Sequence, residues 1–200
     1  MVNALQNLTK AKELNERKVK KISNKEDFIV ENLNIETLSI AKFFYEKGAK
    51  NIALIQRLIY LSFLKVIKEE KVLLFTEDWQ AYLGGPVIES VFNSMSDYFD
   101  EYGSNYKRLF SSISDLGNEK IFLHLESIYH EYQISRKSKK EYIFFEKTLD
   151  KPWQLARYGL TDELSHRKIE LSDIISEHVH SIFNLIEPKH EFKQEIVYRI

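Results

Sequence analysis

The stretch NIALIQRLIYLSFLKVIKEE, Asn51–Glu70, decides the class of fold. Its most apolar window, Ile52 to Val66, is interrupted by Gln56, Arg57 and Lys65, and it is shorter than the roughly 20 residues a membrane helix needs. Gln56 and Lys65 stand nine residues apart, so on a helix they point in nearly opposite directions and leave no single polar face. Such a segment is predicted to be a central helix, surrounded by others, with Asn51 as its cap.

Upstream, NLNIETLSIAKFFYEKGAKN (32–51) predicts a helix capped by Asn34, with Ile35, Leu38, Ala41 and Tyr45 at helical spacing and Gly48 at the left-handed position after its end. Downstream, KVLLFTEDW (71–79) is a short apolar run between polar flanks. It suits irregular structure with room for one short strand near residues 72–76. In AYLGGPVIESVF (81–92), Gly84 and Gly85 permit backbone angles closed to other residues, and Pro86 is preset for the first turn of a helix. That helix is expected to bury Ile88, Phe92, Met95, Phe99 and Tyr102 and to stop at Gly103.

Further helices follow. NEKIFLHLESIYHEYQ (118–133) places Ile121, Leu125, Ile128 and Tyr132 on one face, and SKKE (138–141) reads as a capping box for the next helix. In TLDKPWQLARYG (148–159), Asp150 is a cap, Pro152 sits in a first turn and Gly159 is a stop. Ile175, Val179, Ile182 and Ile186 mark a last helix that ends near Pro188. The expected architecture is a mainly α, compact multi-helix domain over residues 31–188, with a basic extension at 1–30 and a tail at 189–200.

Composition supports a packed core: 44% of residues are hydrophobic and 13% aromatic, with 13 Phe and 11 Tyr among the 200. With 29 Lys and Arg against 30 Asp and Glu, the chain has no overall field to attract nucleic acid or anionic lipid, so neither is an expected partner. The absence of Cys excludes disulfides and thiolate metal sites. The first 28 residues are charged from Lys10 onward and lack the apolar core of a signal peptide, which gives a cytoplasmic expectation.

Several constellations bear on chemistry. Glu126 and His130, four apart with His124 nearby, offer two metal ligands on one helix face but no third at a telling spacing. A surface Glu–His pair is the plainer reading, and no metal or other cofactor is expected. His178 and His180 face different sides of a helix. GGPV is no phosphate loop, since no Lys-Ser/Thr follows and proline removes a donor amide. No nucleophile elbow selects a serine, so no catalytic residue is assigned and the chain is not expected to be an enzyme. The basic runs Arg17–Lys21 and Arg136–Lys140 would contact phosphates only if they converged in space.

Three stretches, in this order and spacing, resemble the Panacea domain of antitoxins, which is also found in SocA-like antitoxins and in phage-associated proteins. In that family an early helix carries a pattern like LQKLLYY, a connection reads roughly LF…EAWxYGPV, and a later segment reads LTHxxxPWxxAR. The counterparts are IQRLIYL (55–61), LFTEDWQAYLGGPV (74–87) and KTLDKPWQLAR (147–157). Gln56, Leu58 and Tyr60 match the first, Ala81, Gly85, Pro86 and Val87 the second, and Thr148, Pro152, Trp153, Ala156 and Arg157 the third. Arg57 replaces Lys, Tyr82 stands where Trp is usual, Gly84 where Tyr is usual, and Leu149 replaces His, with two residues before Pro152 where the pattern has three.

Physically these residues read as architecture: Gly85 and Pro86 set a turn, Trp153 buries apolar area, and Arg57 or Arg157 bonds carbonyls at helix ends. The resemblance implies an antitoxin that binds and masks a cognate toxin protein without turnover. A SocA-like role would instead make it an adaptor delivering the toxin to a Clp-type protease. Two readings from other classes are a DNA-binding regulator using the basic runs and a metal-dependent enzyme using His124, Glu126 and His130.

Overall fold

The computed structural model of the chain describes residues 31–102, 105–162 and 166–179. The extension 1–30 with its Arg17–Lys21 run, the stop at Gly103, His180, the positions Ile182, Ile186 and Pro188, and the tail 189–200 lie outside the described residues. The elements run β1 (Glu31–Asn32), α1 (Thr37–Glu46), α2 (Ile52–Glu70), β2 (Val72–Leu73), β3 (Trp79–Tyr82), β4 (Gly85–Val87), α3 (Glu89–Tyr102), α4 (Lys107–Ser111), α5 (Glu119–Lys137), α6 (Glu141–Glu146), α7 (Lys151–Arg157), β5 (Lys168–Ile169) and α8 (Leu171–His178). The fold is mainly α, as the sequence implies.

Helix α2 is the centre. Asn51 caps it, its side chain accepting the Leu54 amide at 3.1 Å, and Lys71 ends it in the left-handed region. Ile55, Leu58, Ile59, Tyr60, Val66 and Ile67 are fully buried, because α1, α3, α5, α8 and strands β2 and β4 all pack against α2. Phe43 and Phe44 of α1 meet edge to face, and Ile121, Leu125 and Ile128 of α5 complete the core beside them.

The helix ends follow local chemistry only in part. Asp150 caps α7 as expected, with Pro152 in its first turn, and Asn118 caps α5, a cap not read from the sequence. Gly48 follows α1 with φ 110, and an added Cβ would meet the Tyr129 hydroxyl at 3.3 Å. Asn34, however, is not the cap of α1. It takes φ 52 in a tight turn with Asn32, and Glu36 precedes the helix without a side-chain cap bond. Nor does Ser138 cap α6: it is the C-terminal cap of α5, its hydroxyl donating back to Ile134 O and Ser135 O, and Lys140 precedes α6.

The largest correction concerns Gly84–Val87. Pro86 does not open a helix; it lies in strand β4, paired antiparallel with β3 in the register Gln80↔Val87, Ala81↔Pro86, Tyr82↔Gly85. The second edge of β3 carries β5, so the sheet order β4-β3-β5 leaves Pro86 on an edge strand, where its missing amide costs no ladder bond. A parallel pair, β1 with β2, forms a separate two-stranded sheet; β2 is the short strand expected near 72–76.

Helix α3 therefore starts at Glu89, three residues later than a proline-led start. Ile88, Val91 and Met95 are buried with Tyr98 packed against them, whereas Phe99 is half exposed. Its launch is set by a long-range contact: the Gln56 side chain accepts the Ile88 amide at 2.9 Å and donates to Ile88 O at 3.1 Å, both groups being buried. Gln56→Leu would leave the Ile88 amide without an acceptor and should cost about 1–3 kcal/mol in denaturant unfolding. An unchanged unfolding midpoint would show that Gln56 does not hold α3 to the centre.

Candidate functional site

The hairpin β3–β4 is gripped from two sides by side chains that are far apart in sequence. From α2, the Arg57 Nη2 donates to Gly84 O at 2.7 Å and its guanidinium stacks on the Phe145 ring, with Cζ 4.7 Å from the centroid. From α7, Trp153 Nε1 donates to Tyr82 O at 2.9 Å and Arg157 Nη1 to Ala81 O at 3.3 Å. The two arginines thus bond carbonyls of the hairpin rather than of helix ends.

Gly85 closes the hairpin with φ 129, a conformation that side chains rarely adopt, and neither Leu83 nor Gly84 at the tip has a positive φ. A Cβ on Gly85 would sit 3.6 Å from the Thr148 hydroxyl and 3.8 Å from Arg57 Nε, so there is space for it but not the backbone geometry. Thr148, fully buried, donates to Phe145 O at 2.7 Å and so turns the chain from α6 toward α7. Val87 pairs with Gln80 at the end of the ladder.

Beneath the hairpin lies a node that joins three helices. Asp150 caps α7 through Oδ1, which accepts the Trp153 amide at 3.1 Å. Its Oδ2 accepts the Tyr60 hydroxyl at 2.8 Å and lies 2.7 Å from His178 Nε2, joining α2, α7 and α8. Burial, first of all, and then the Asp150 charge push the Tyr60 phenol far above its ordinary range. Tyr60 also meets Trp79 edge to face at 4.9 Å. The cap was legible in Asp150; His178, 28 residues on, carried no signal beyond its polarity in an apolar helix.

At the outer rim Tyr82 stacks on His166, 4.2 Å between centroids and 13° between planes. Glu89 Oε1 accepts the Tyr82 hydroxyl at 3.2 Å and lies 3.0 Å from His166 Nε2. All the residues singled out from sequence, Gln56, Arg57, Tyr60, Tyr82, Gly85, Pro86, Val87, Thr148, Pro152, Trp153 and Arg157, thus belong to the hairpin or to the segments that hold it or launch α3 from it.

The other candidates do not assemble. His124 Nε2 lies 2.8 Å from Glu70 Oε1 and its Nδ1 3.4 Å from Glu69, while Glu126 pairs with Lys47 and His130 is exposed. Lys120 and His124 hold the Glu70 carboxyl below its ordinary range. Among the described residues no group of three or more His, Asp and Glu is placed to hold a metal ion, and no helix is long and apolar enough to cross a membrane. Comparison with protein-family models, with curated proteins and with solved structures finds no match.

Two outcomes test this geometry. Gly85→Ala should destabilise the fold by about 1–3 kcal/mol through backbone strain, whereas Gly84→Ala, with nothing within 4 Å of an added Cβ, should be far milder in the same unfolding assay. Equal effects would contradict the strained closure. Because the folded state favours the protonated Tyr60 phenol, its contribution is complete below the unfolded value of about 10 and is lost as pH rises above it. The denaturation midpoint should therefore fall less steeply above about pH 10 in Tyr60→Phe than in the wild type, and parallel slopes would remove Tyr60 from the account.

Proposed function

We propose that this chain is an antitoxin that neutralises a cognate protein toxin by direct binding in the cytoplasm, with no turnover. The observation that carries the reading is the meeting of the three stretches that resemble the Panacea domain. Separated by tens of residues in sequence, they come together around one hairpin, and their polar side chains are directed at its backbone.

A hairpin held in this way is suited to presenting a fixed surface. Leu83 at its tip is 50% exposed, and Leu155 and Tyr158 in the neighbouring segment are 52% and 73% exposed. Rigid, exposed apolar and aromatic side chains around a hydrogen-bonded frame are the kind of anchors that protein interfaces use, since little conformational entropy is lost when they are covered. The proposed partner is therefore a folded protein, and masking its active surface requires only stoichiometric binding.

Co-expression with the product of the adjacent gene tests the proposal through growth rescue and co-purification. A toxic neighbour, rescued and retained in a stable complex, is the expected result. Rescue with loss of the neighbour would favour delivery to a protease, and a harmless neighbour that does not bind would overturn the antitoxin reading. In the complex, the double substitution Leu83→Asp and Tyr158→Asp should weaken binding by about tenfold or more with little change in Tm; undiminished affinity would place the toxin elsewhere on the surface.

A further inference from the structure

Among the described residues, the Arg57 cation has no counter-charge. A guanidinium carries five N–H donors. Here Nη2 uses one on Gly84 O, and the fully buried Nε–H, which faces Gly85, has no acceptor. Three N–H groups on the two terminal nitrogens remain, and among the described residues no carboxylate forms an ion pair with this side chain. Two other half-buried cations differ: Lys42 is held by Asp115 and Ile113 O, and Lys65 by Glu69.

The surroundings favour an anion. One face of the guanidinium is covered by Phe145, and Nε is closed off by the hairpin. Burial lowers the Arg57 pKa, with no neighbouring carboxylate to raise it back. A partly desolvated, unpaired arginine raises the free energy of the unbound state, and that cost is recovered when a planar, two-oxygen anion meets the terminal nitrogens. The side chain is held rigidly by its stacking and by Gly84 O, so little rotamer freedom is lost on pairing. It also lies directly below the exposed Leu83–Gly84 tip, where an added Cβ on Gly84 would meet open space.

We propose that Arg57 is the receptor for a carboxylate of the protein partner, an Asp or Glu side chain docked end-on against its two terminal nitrogens beside the hairpin tip. The assignment of the carboxylate to a protein rests on the partner-binding reading above; the anion receptor itself does not. Lysine at this position would supply charge without the planar fork, so Arg57→Lys separates bidentate recognition from mere attraction.

The test uses the full chain labelled with 15N, with the Arg57 Nε–H resonance assigned by its loss in Arg57→Lys. Titration with a hexaglutamate peptide should shift that resonance to saturation, and hexaglutamine should not. In Arg57→Lys and Arg57→Gln, compared at a temperature where each variant is folded, hexaglutamate affinity measured by calorimetry should fall about tenfold or more. No shift with hexaglutamate, or equal affinity in Arg57→Lys, would overturn the proposal, and saturation by inorganic phosphate at lower concentration would overturn the choice of carboxylate. In the toxin complex the same variants should weaken binding similarly. A wild-type chain that binds hexaglutamate but no neighbour protein would sink the antitoxin reading and leave the receptor standing.

Discussion

A helix buried on nearly every side has no solvent face on which to place its polar side chains, and in α2 this constraint organises the molecule. Gln56, Arg57 and Tyr60, on one turn of the helix, must each find a partner from another segment. Gln56 takes the amide and carbonyl of Ile88, Arg57 the carbonyl of Gly84, and Tyr60 the carboxylate of Asp150. The hairpin, the start of α3 and the cap of α7 are therefore positioned by the satisfaction of three side chains that an apolar helix would not have carried.

Charge and shape are divided between the two sides of this arrangement. Toward the core, Tyr60, Phe63, Phe75 and Trp79 form a contiguous aromatic cluster that anchors β3 by apolar burial. Toward solvent, the same strand ends in Tyr82, stacked on His166 and bonded to Glu89, and then in the exposed Leu83. A strand of four residues thus links a rigid interior to a surface of mixed chemistry, which is the reason the proposed partner site can be small and still well defined.

The sequence was most readable where structure is decided locally. The apolar run of α2, the periodicity of α5 and the caps Asn51 and Asp150 depend on residues within one or two turns of each other, and these appear as expected. Gly84–Val87 was ambiguous because a glycine pair before proline suits either a helix start or a hairpin closure. The choice was made by strand partners at Trp79–Tyr82 and, some 80 residues on, at Lys168–Ile169. The buried face of α3 was legible only in part: Ile88 and Met95 are buried as expected and Val91 joins them, whereas Phe99 is half exposed. Three of the site's features, the Asp150–His178 contact, the Tyr82–His166 stack and the unpaired state of Arg57, depend on chain distances that no local pattern encodes.

Asp150 also bears on how the molecule opens. One carboxylate bonded to the hydroxyl of α2, to the first-turn amide of α7 and beside the imidazole of α8 makes these three segments share a single set of bonds. Because α7 in turn holds the hairpin through Trp153 and Arg157, fraying of any one part removes partners from the others. The region from Trp79 to Val87 and from Thr148 to Arg157 is therefore expected to act as one cooperative unit in hydrogen exchange, its amides opening together with the central helix rather than one loop at a time.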